Sequence, residues 1–179
     1  FQVDYHIGAA AAGYIPDARA QVDNARFFSQ SNKLVYDEAV EVETVAKHLA
    51  DQCQQYTQYA GARPLGVSLI IGGIDSTGSS LYLTDPSGAY VLYDAVAIGA
   101  SSDIATEFLE KNYSKDLSLD DAKTLAVAVI NLVSDEKESA DNIKMSQVHS
   151  DAKSFEFVEK KEIEKLISSS KTKYPPTTK

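Results

Sequence analysis

The residues that could support nucleophilic or metal chemistry are few and lie apart along the chain. Cys53 is the only cysteine, and it falls on the apolar stripe of a predicted helix, where a buried thiol usually serves packing. The three histidines, His6, His48 and His149, lie on different predicted elements without a neighbour at zinc-ligand spacing. Ser68 lies within a predicted strand whose flanking residues lack the last glycine of a nucleophile elbow. The sequence therefore predicts no catalytic residue, no metal site and no cofactor.

Charged residues on one predicted helix have a spacing that favours contacts between side chains. Asp17, Arg19, Asp23 and Arg26 offer pairs three and four residues apart, and such pairs on an exposed helix face usually form a solvated charged surface. Arg63 precedes a proline and is either exposed or held by a fixed partner. These residues are candidates for structural or interface roles.

Composition limits the classes of partner. The chain has 179 residues, 44% of them hydrophobic, and a formal net charge of −9. Such a length is typical of one domain with a covered core. The acidic balance argues against nucleic acid as a partner, and no apolar stretch is long enough to predict a membrane span. One cysteine cannot form an intrachain disulfide, so we expect a reducing, cytoplasmic location. Because the sequence starts at Phe1 without a methionine, we also expect that the natural N-terminus is missing.

Hydrophobic periodicity predicts both helices and strands. The predicted helices comprise residues 15–30, 41–59, 102–112, 118–134 and 159–167. The predicted strands comprise residues 5–13, 67–74, 81–83, 89–98, 143–148 and 154–158. Asp85-Pro86-Ser87-Gly88 has the residue preferences of a type I turn, and Ser102 and Ser118 are predicted helix caps.

The order of these elements predicts an α+β fold. The strands at 5–13 and 67–74 are small or apolar on both faces, so we expect both of their faces to be covered. Two stacked antiparallel sheets flanked by helix pairs satisfy this requirement together with the amphipathic helices. We expect a single domain over residues 1–167 and a flexible C-terminal tail over residues 168–179.

Six segments, in order and spacing, resemble the α-type subunits of the proteasome. They cover nearly all of residues 3–167 and look archaeal; the segments are Asp17-Ala18-Arg19, Tyr56-Thr57-Gln58, Arg63-Pro64-Leu65-Gly66-Val67, Asp85-Pro86-Ser87-Gly88, Ala97-Ile98-Gly99 and Phe108-Leu109-Glu110-Lys111. The resemblance implies the four-layer αββα sandwich of the N-terminal nucleophile hydrolases, which agrees with the layering predicted from the residues.

The resemblance also implies a function. It implies a non-catalytic α-ring subunit of a threonine-type endopeptidase complex, in a heptameric outer ring that scaffolds the β rings and gates substrate entry. The implied partners are other α subunits, β subunits and an ATPase activator on the outer face. The family's gate segment and activator pocket would precede Phe1. The helix that begins near residue 15 corresponds to one that faces the β ring, so we expect Asp17, Arg19 and Arg26 to contribute to that interface, and Arg63 to have a structural partner.

The alternative within the same fold is a catalytic β-type subunit, or another N-terminal nucleophile amidohydrolase whose nucleophile lies outside this sequence. Such enzymes use an N-terminal residue as both nucleophile and base, whereas Phe1 has no hydroxyl. Catalytic β-type subunits also carry an Asp-x-x-Ser-Gly motif after the helix corresponding to residues 118–134. Residues 135–139 read Asp-Glu-Lys-Glu-Ser, which departs from that motif and favours the α-type reading.

Overall fold

The structure is a computed structural model that describes residues 1–134 and 139–175. Within these residues the helices are α1 (Ile15–Tyr36), α2 (Val42–Gln58), α3 (Ser102–Asn112), α4 (Leu119–Val133) and α5 (Lys160–Lys173). The strands are β1 (Gln2–Asp4), β2 (Ile7–Gly13), β3 (Val67–Ile74), β4 (Ser79–Thr84), β5 (Tyr90–Leu92), β6 (Ser146–Val148) and β7 (Phe155–Phe157). The fold class is α+β, as predicted.

The chain divides into two compact units. The first comprises residues 1–99 with 147–156, and the second comprises residues 100–146 with the residues from 157 onwards. The single domain over 1–167 and the tail over 168–179 stay predictions. Helix α5, however, continues to Lys173, so residues 168–173 are helical rather than part of an irregular tail.

The first unit is built on a five-stranded antiparallel sheet of order β1-β2-β3-β4-β5. Helices α1 and α2 pack on one face of it, because each carries an apolar stripe at helical spacing. Val45, Leu49 and Cys53 of α2 are buried. Val45 and Leu49 belong to a core that also includes Leu69 and Ile71 of the sheet. Burying this apolar surface is the main stabilising contribution to the first unit.

The second face of this sheet is less covered than the sequence predicts. Ala10 is exposed, and Ser68, Ile70 and Gly72 are only partly buried. The reason is that α1 and α2 both cover the face that carries Leu69. Apolar residues on both faces of a strand predict cover on both sides, but the pattern does not say which element supplies it.

Several predicted boundaries were wrong. The strand predicted at 89–98 is limited to β5 (Tyr90–Leu92), because pairing with β4 ends where the Tyr93 N–H donates to the Leu81 carbonyl. Helix α1 runs six residues past the predicted end, to Tyr36, and stops at Asp37 with φ of 56°. The residue that precedes α3 is Ser101 rather than Ser102, and its side chain forms no capping bond.

The second unit packs α4 against α5, and α3 against α4. Its core includes Val127 from α4, Ile163 and Leu166 from α5, and Ile143 and Val158 from the connecting segments. Strands β6 and β7 form a separate two-stranded sheet, most of whose residues fall in the first unit. Ile163 and Leu166 recur at helical spacing, so one apolar face of α5 packs into this core.

Ser118 caps α4 as predicted, and its removal should have a measurable cost. Its side chain accepts a hydrogen bond from the Asp121 backbone N–H at 3.2 Å. We expect Ser118→Ala to lower the free energy of unfolding by about 1 kcal/mol, the usual value of such a cap. Urea unfolding followed by circular dichroism measures this change. Ser118→Thr, which keeps the hydroxyl, is the control; an equal loss in both variants would contradict a capping role.

Candidate assembly interface on helix α1

An ion pair joins the first turn of α1 to the start of β3. The Arg63 guanidinium donates to both carboxylate oxygens of Asp17, with Nη1 2.7 Å from Oδ2 and Nη2 2.9 Å from Oδ1. The Gly66 backbone N–H also donates to Asp17 Oδ2, at 2.9 Å. The planar guanidinium matches a carboxylate through two parallel bonds, which sets the orientation of both groups. Arg63 therefore has the structural partner that the family resemblance implied.

Local sequence explains why these groups meet. A carboxylate in the first turn of a helix is favoured by the exposed N–H groups there, which suits Asp17. Pro64 favours an extended conformation at Arg63. Tyr14 adds two further contacts, since its N–H donates to the Gly66 carbonyl at 2.7 Å and its ring lies 5.3 Å from the guanidinium carbon of Arg63. The entry to α1 and the entry to β3 are thus held as one local unit.

The electrostatics of Asp17 follow from this geometry. The hydrogen bonds from Arg63, and next the one from the Gly66 N–H, lower the pKa of the Asp17 carboxyl to about 2. Burial opposes this shift but is outweighed. The Asp17 side chain is nearly buried, whereas that of Arg63 is largely exposed. At neutral pH the Asp17 carboxylate is therefore ionised and stabilises the fold, and it carries no proton that it could donate in acid–base chemistry.

The structure separates the two other predicted interface residues from this ion pair. Arg26 donates from Nε to the Gln2 carbonyl at 2.8 Å and from Nη1 to Asp23 Oδ1 at 2.9 Å. Arg19 is exposed and forms no hydrogen bond or ion pair within residues 1–134 and 139–175. The role of Arg19 and Arg26 in an interface stays a prediction. Asp17 faces inward, so it can affect an interface only by fixing the orientation of α1.

The outer face of α1 carries apolar residues that the sequence reasoning missed. Phe27 and Leu34 are 75% and 88% exposed, and with 3.6 residues per turn these two residues lie on the same side of the helix. The buried stripe of Ala18 and Val22 lies on the opposite side. Large apolar side chains grouped on an exposed face mark an interaction surface. The sequence does indicate this surface, because Phe27 and Leu34 are apolar residues that do not follow the spacing of the buried stripe.

His48 and Cys53 are placed for packing. Burial lowers the pKa of His48, whose ring stacks on Phe28 with centroids 4.0 Å apart. Burial raises the pKa of the Cys53 thiol, to which Gln21 donates, so the thiolate needed for nucleophilic attack is disfavoured. Among the described residues, no three His, Cys, Asp or Glu side chains are grouped to hold a metal ion.

Two further predictions concern the departure from the catalytic motif and the lack of a membrane span. Residues 135–138, which contain most of the segment that departs from the catalytic motif, lie outside the described residues. The helices in the described part of the chain include none with the length and apolarity needed to cross a membrane.

Comparison with known proteins identifies the class to which this α+β fold belongs. The family model described as proteasome subunit matches residues 1–148, and the chain belongs to this family. Its relatives include proteins named proteasome subunit alpha. The chain is 43% identical to that of Archaeoglobus fulgidus over 167 residues and 42% identical to that of Methanococcus maripaludis over 167 residues, 93% of this chain in each case. It is 44% identical to that of Haloquadratum walsbyi over 154 residues, 86% of this chain.

The match covers this chain more fully than it covers the relatives. The aligned part amounts to 68%, 64% and 62% of the length of the three relatives, in the order given. The chain therefore spans about two thirds of the α subunits that it matches. The resemblance to α-type proteasome subunits stated from the sequence motifs is confirmed.

Proposed function

We propose that the chain functions as a non-catalytic α-ring subunit of the proteasome core, in an outer ring that scaffolds the β rings and controls substrate entry. The observation that carries this proposal is the similarity to archaeal α subunits over 93% of the chain. The exposed outer face of α1 supports it, because a subunit of an assembly must leave part of its apolar surface uncovered.

The proposal also covers the number of subunits in the ring, its partners and its location in the cell. The ring is heptameric, its β-type partners carry the threonine nucleophiles, an ATPase activator docks on the outer surface, and the complex is cytoplasmic. Neither nucleic acid nor a membrane is a partner. The non-catalytic role is supported by the inertness of the candidate nucleophiles, since Cys53 is a buried thiol with a raised pKa and Ser68 lies within β3.

The outer face of α1 is the surface that we assign to the β ring. Arg19 is an exposed positive charge on the same helix, about two turns before Phe27. Apolar residues with a charged residue at their edge are typical of interfaces in which the apolar part supplies affinity and the charge supplies orientation. The ion pair between Asp17 and Arg63 holds the first turn of the same helix in place.

The function is tested by mixing the chain with the β-type subunit of the same organism. Native mass spectrometry measures assembly, and hydrolysis of a fluorogenic peptide measures activity in the same samples. We expect assemblies of ring size and activity only in the mixture. Peptide or amide hydrolysis by the chain alone would instead support the N-terminal nucleophile enzyme and would contradict the proposal.

Reversing the charge of Arg19 should weaken assembly with the β-type subunit. We expect Arg19→Glu to raise the concentration needed for half-maximal assembly by roughly tenfold, because a misplaced charge at an interface disfavours association. Lys165→Glu is the control, since Lys165 is also exposed but lies on α5 in the second unit. Native mass spectrometry over a dilution series measures the effect. Unchanged assembly of Arg19→Glu would remove Arg19 from the proposed interface.

A further inference from the structure

Two buried polar atoms of the first unit face each other without a hydrogen bond. His6 Nδ1 and Asp4 Oδ2 lie 3.9 Å apart, and neither has a hydrogen-bond partner in the described part of the chain. The two side chains are 1% and 5% exposed. An unsatisfied polar group in the interior costs free energy, so two of them at this distance call for an explanation.

The other atoms of these two side chains are engaged, which limits what the facing atoms can be. His6 Nε2 lies 2.8 Å from the Val40 carbonyl, and because a carbonyl only accepts, Nε2 carries a proton. Asp4 Oδ1 accepts from the Tyr5 N–H at 2.7 Å and from Gln30 Nε2 at 3.3 Å. A neutral His6 ring has no second proton, so its Nδ1 would be an acceptor that faces a carboxylate oxygen, also an acceptor.

One proton between the two atoms removes this conflict. We infer that His6 Nδ1 and Asp4 Oδ2 form a proton-binding site, in which a proton on Nδ1 makes the ring an imidazolium that attracts the Asp4 carboxylate. The imidazolium donates to the Val40 carbonyl on its other side. Loss of the proton leaves two acceptors opposite each other. The site therefore holds its surroundings together only while the proton is bound.

The charged groups around His6 favour the bound proton. Burial opposes ionisation of Asp75, but hydrogen bonds from Thr77 and Val42, together with a positive charge on His6, outweigh it and lower the pKa of Asp75. The ionised Asp75 in turn stabilises that positive charge. The nearby lysines are engaged elsewhere, and the other titratable side chains line a cavity beside His6: Lys153 Nζ donates to the Asp75 carbonyl at 3.0 Å, Lys33 lies over the Tyr5 ring, and the cavity is lined by Tyr5, Tyr36, Glu38 and Glu41.

The site connects the β1–β2 turn to the start of α2. His6 holds the Val40 carbonyl, and Asp75 Oδ2 accepts from the Val42 N–H at 2.9 Å. Two contacts thus fix the connection between α1 and α2, and one of them depends on the proton. This connection follows the last turn of α1, where Leu34 is exposed. If α1 binds the β ring, as the proposed function holds, the proton regulates that assembly.

An NMR titration of the histidine ring nitrogens tests the site. The chain has three histidines, and His48→Gln and His149→Gln assign their signals. We expect Asp4→Asn to weaken proton binding at His6 by roughly tenfold, seen as a shift of the titration midpoint to lower pH, because the neighbouring carboxylate is removed. Asparagine keeps an oxygen for the Tyr5 N–H and offers an N–H to the His6 ring, so the variant should fold.

Asp23→Asn is the matched control, since it removes the same charge from an exposed position in the first unit. Its titration midpoint at His6 should equal that of the wild type. Equal midpoints in the wild type and Asp4→Asn would overturn the proton site. The wild type gives a second test without a substitution, because a His6 Nδ1 that stays without a proton at every pH at which the chain is folded would also overturn it.

Stability and assembly measure the consequence. The folded chain binds the proton through this contact, so the wild type should lose stability as pH rises through the measured midpoint of His6, whereas Asp4→Asn should not. Assembly with the β-type subunit, followed by native mass spectrometry over the same pH range, should show the same difference. An equal response to pH in both proteins would contradict the regulation. Failure to assemble at any pH would contradict the proposed function but not the proton site, which the NMR titration decides on the chain alone.

Discussion

Replacing Gly13 with alanine is expected to lower the free energy of unfolding of the chain by about 2–5 kcal/mol. Gly13 ends β2 with φ of 123°, a conformation that costs a residue with a side chain about 1–3 kcal/mol. A Cβ added there would lie 2.4 Å from the Gly66 carbonyl oxygen. That oxygen belongs to backbone and accepts from the Tyr14 N–H, so it cannot move without disturbing the start of β3.

Gly78→Ala provides the control for this prediction. Gly78 has φ of 121°, almost the same as Gly13, but an added Cβ would meet nothing within 4 Å. It therefore reports the conformational strain alone, and the difference between the two variants reports the collision with Gly66. Urea unfolding followed by circular dichroism measures both. Equal losses in the two variants would show that the close approach of β2 and β3 at this point contributes nothing.

Replacing Asp17 with alanine is expected to be the second most costly of the changes considered. It removes the acceptor of two guanidinium bonds and of the Gly66 N–H, and an unsatisfied, partly buried N–H costs about 1–3 kcal/mol. Asp17→Asn should cost less, because the amide oxygen can still accept one bond. Asp23→Asn is the control, since Asp23 also pairs with an arginine but is largely exposed.

The effect of Asp17 should depend on pH in a defined direction. The folded-state pKa is about 2, below the ordinary value of 3.8, so the ionised carboxylate stabilises the fold above the ordinary pKa. This contribution is lost as pH falls through about 2. The difference in unfolding free energy between the wild type and Asp17→Asn should therefore be constant at neutral pH and shrink below pH 3.8. A difference that does not change down to pH 2 would contradict the ion pair.

The sequence predicted those features that depend on neighbouring residues. The bounds of β3 and the Ser118 cap agree with the structure. The turn at Asp85 also agrees, with the Gly88 N–H donating to the Asp85 carbonyl at 3.1 Å. The determinant of the cap and of the turn is local, because capping and turn conformation depend on residues within about four positions. Strand β3 is marked by a continuous apolar run between turn residues.

Features that depend on pairing over long distances were predicted less well. The strand expected at 89–98 has the right apolar content, but within residues 1–134 and 139–175 only Tyr90–Leu92 pairs with another strand. The motif around Arg63 indicated a structural role, yet nothing in the sequence identified Asp17, 46 residues away, as the partner of Arg63. Phe27 and Leu34 on α1 could have been noticed as apolar residues outside the buried stripe, but only the packing of the helix shows that they are exposed.

The sequence by itself determined the α+β class, the positions of the helices and the membership of the proteasome subunit family, because periodicity and motif order are written along the chain. Only the tertiary structure decided which charges meet and which face of α1 stays open. Those properties arise when segments distant in the sequence are brought together, and hydrophobic burial, which drives that association, is non-directional. The pairing of Asp17 with Arg63 is a result of that association.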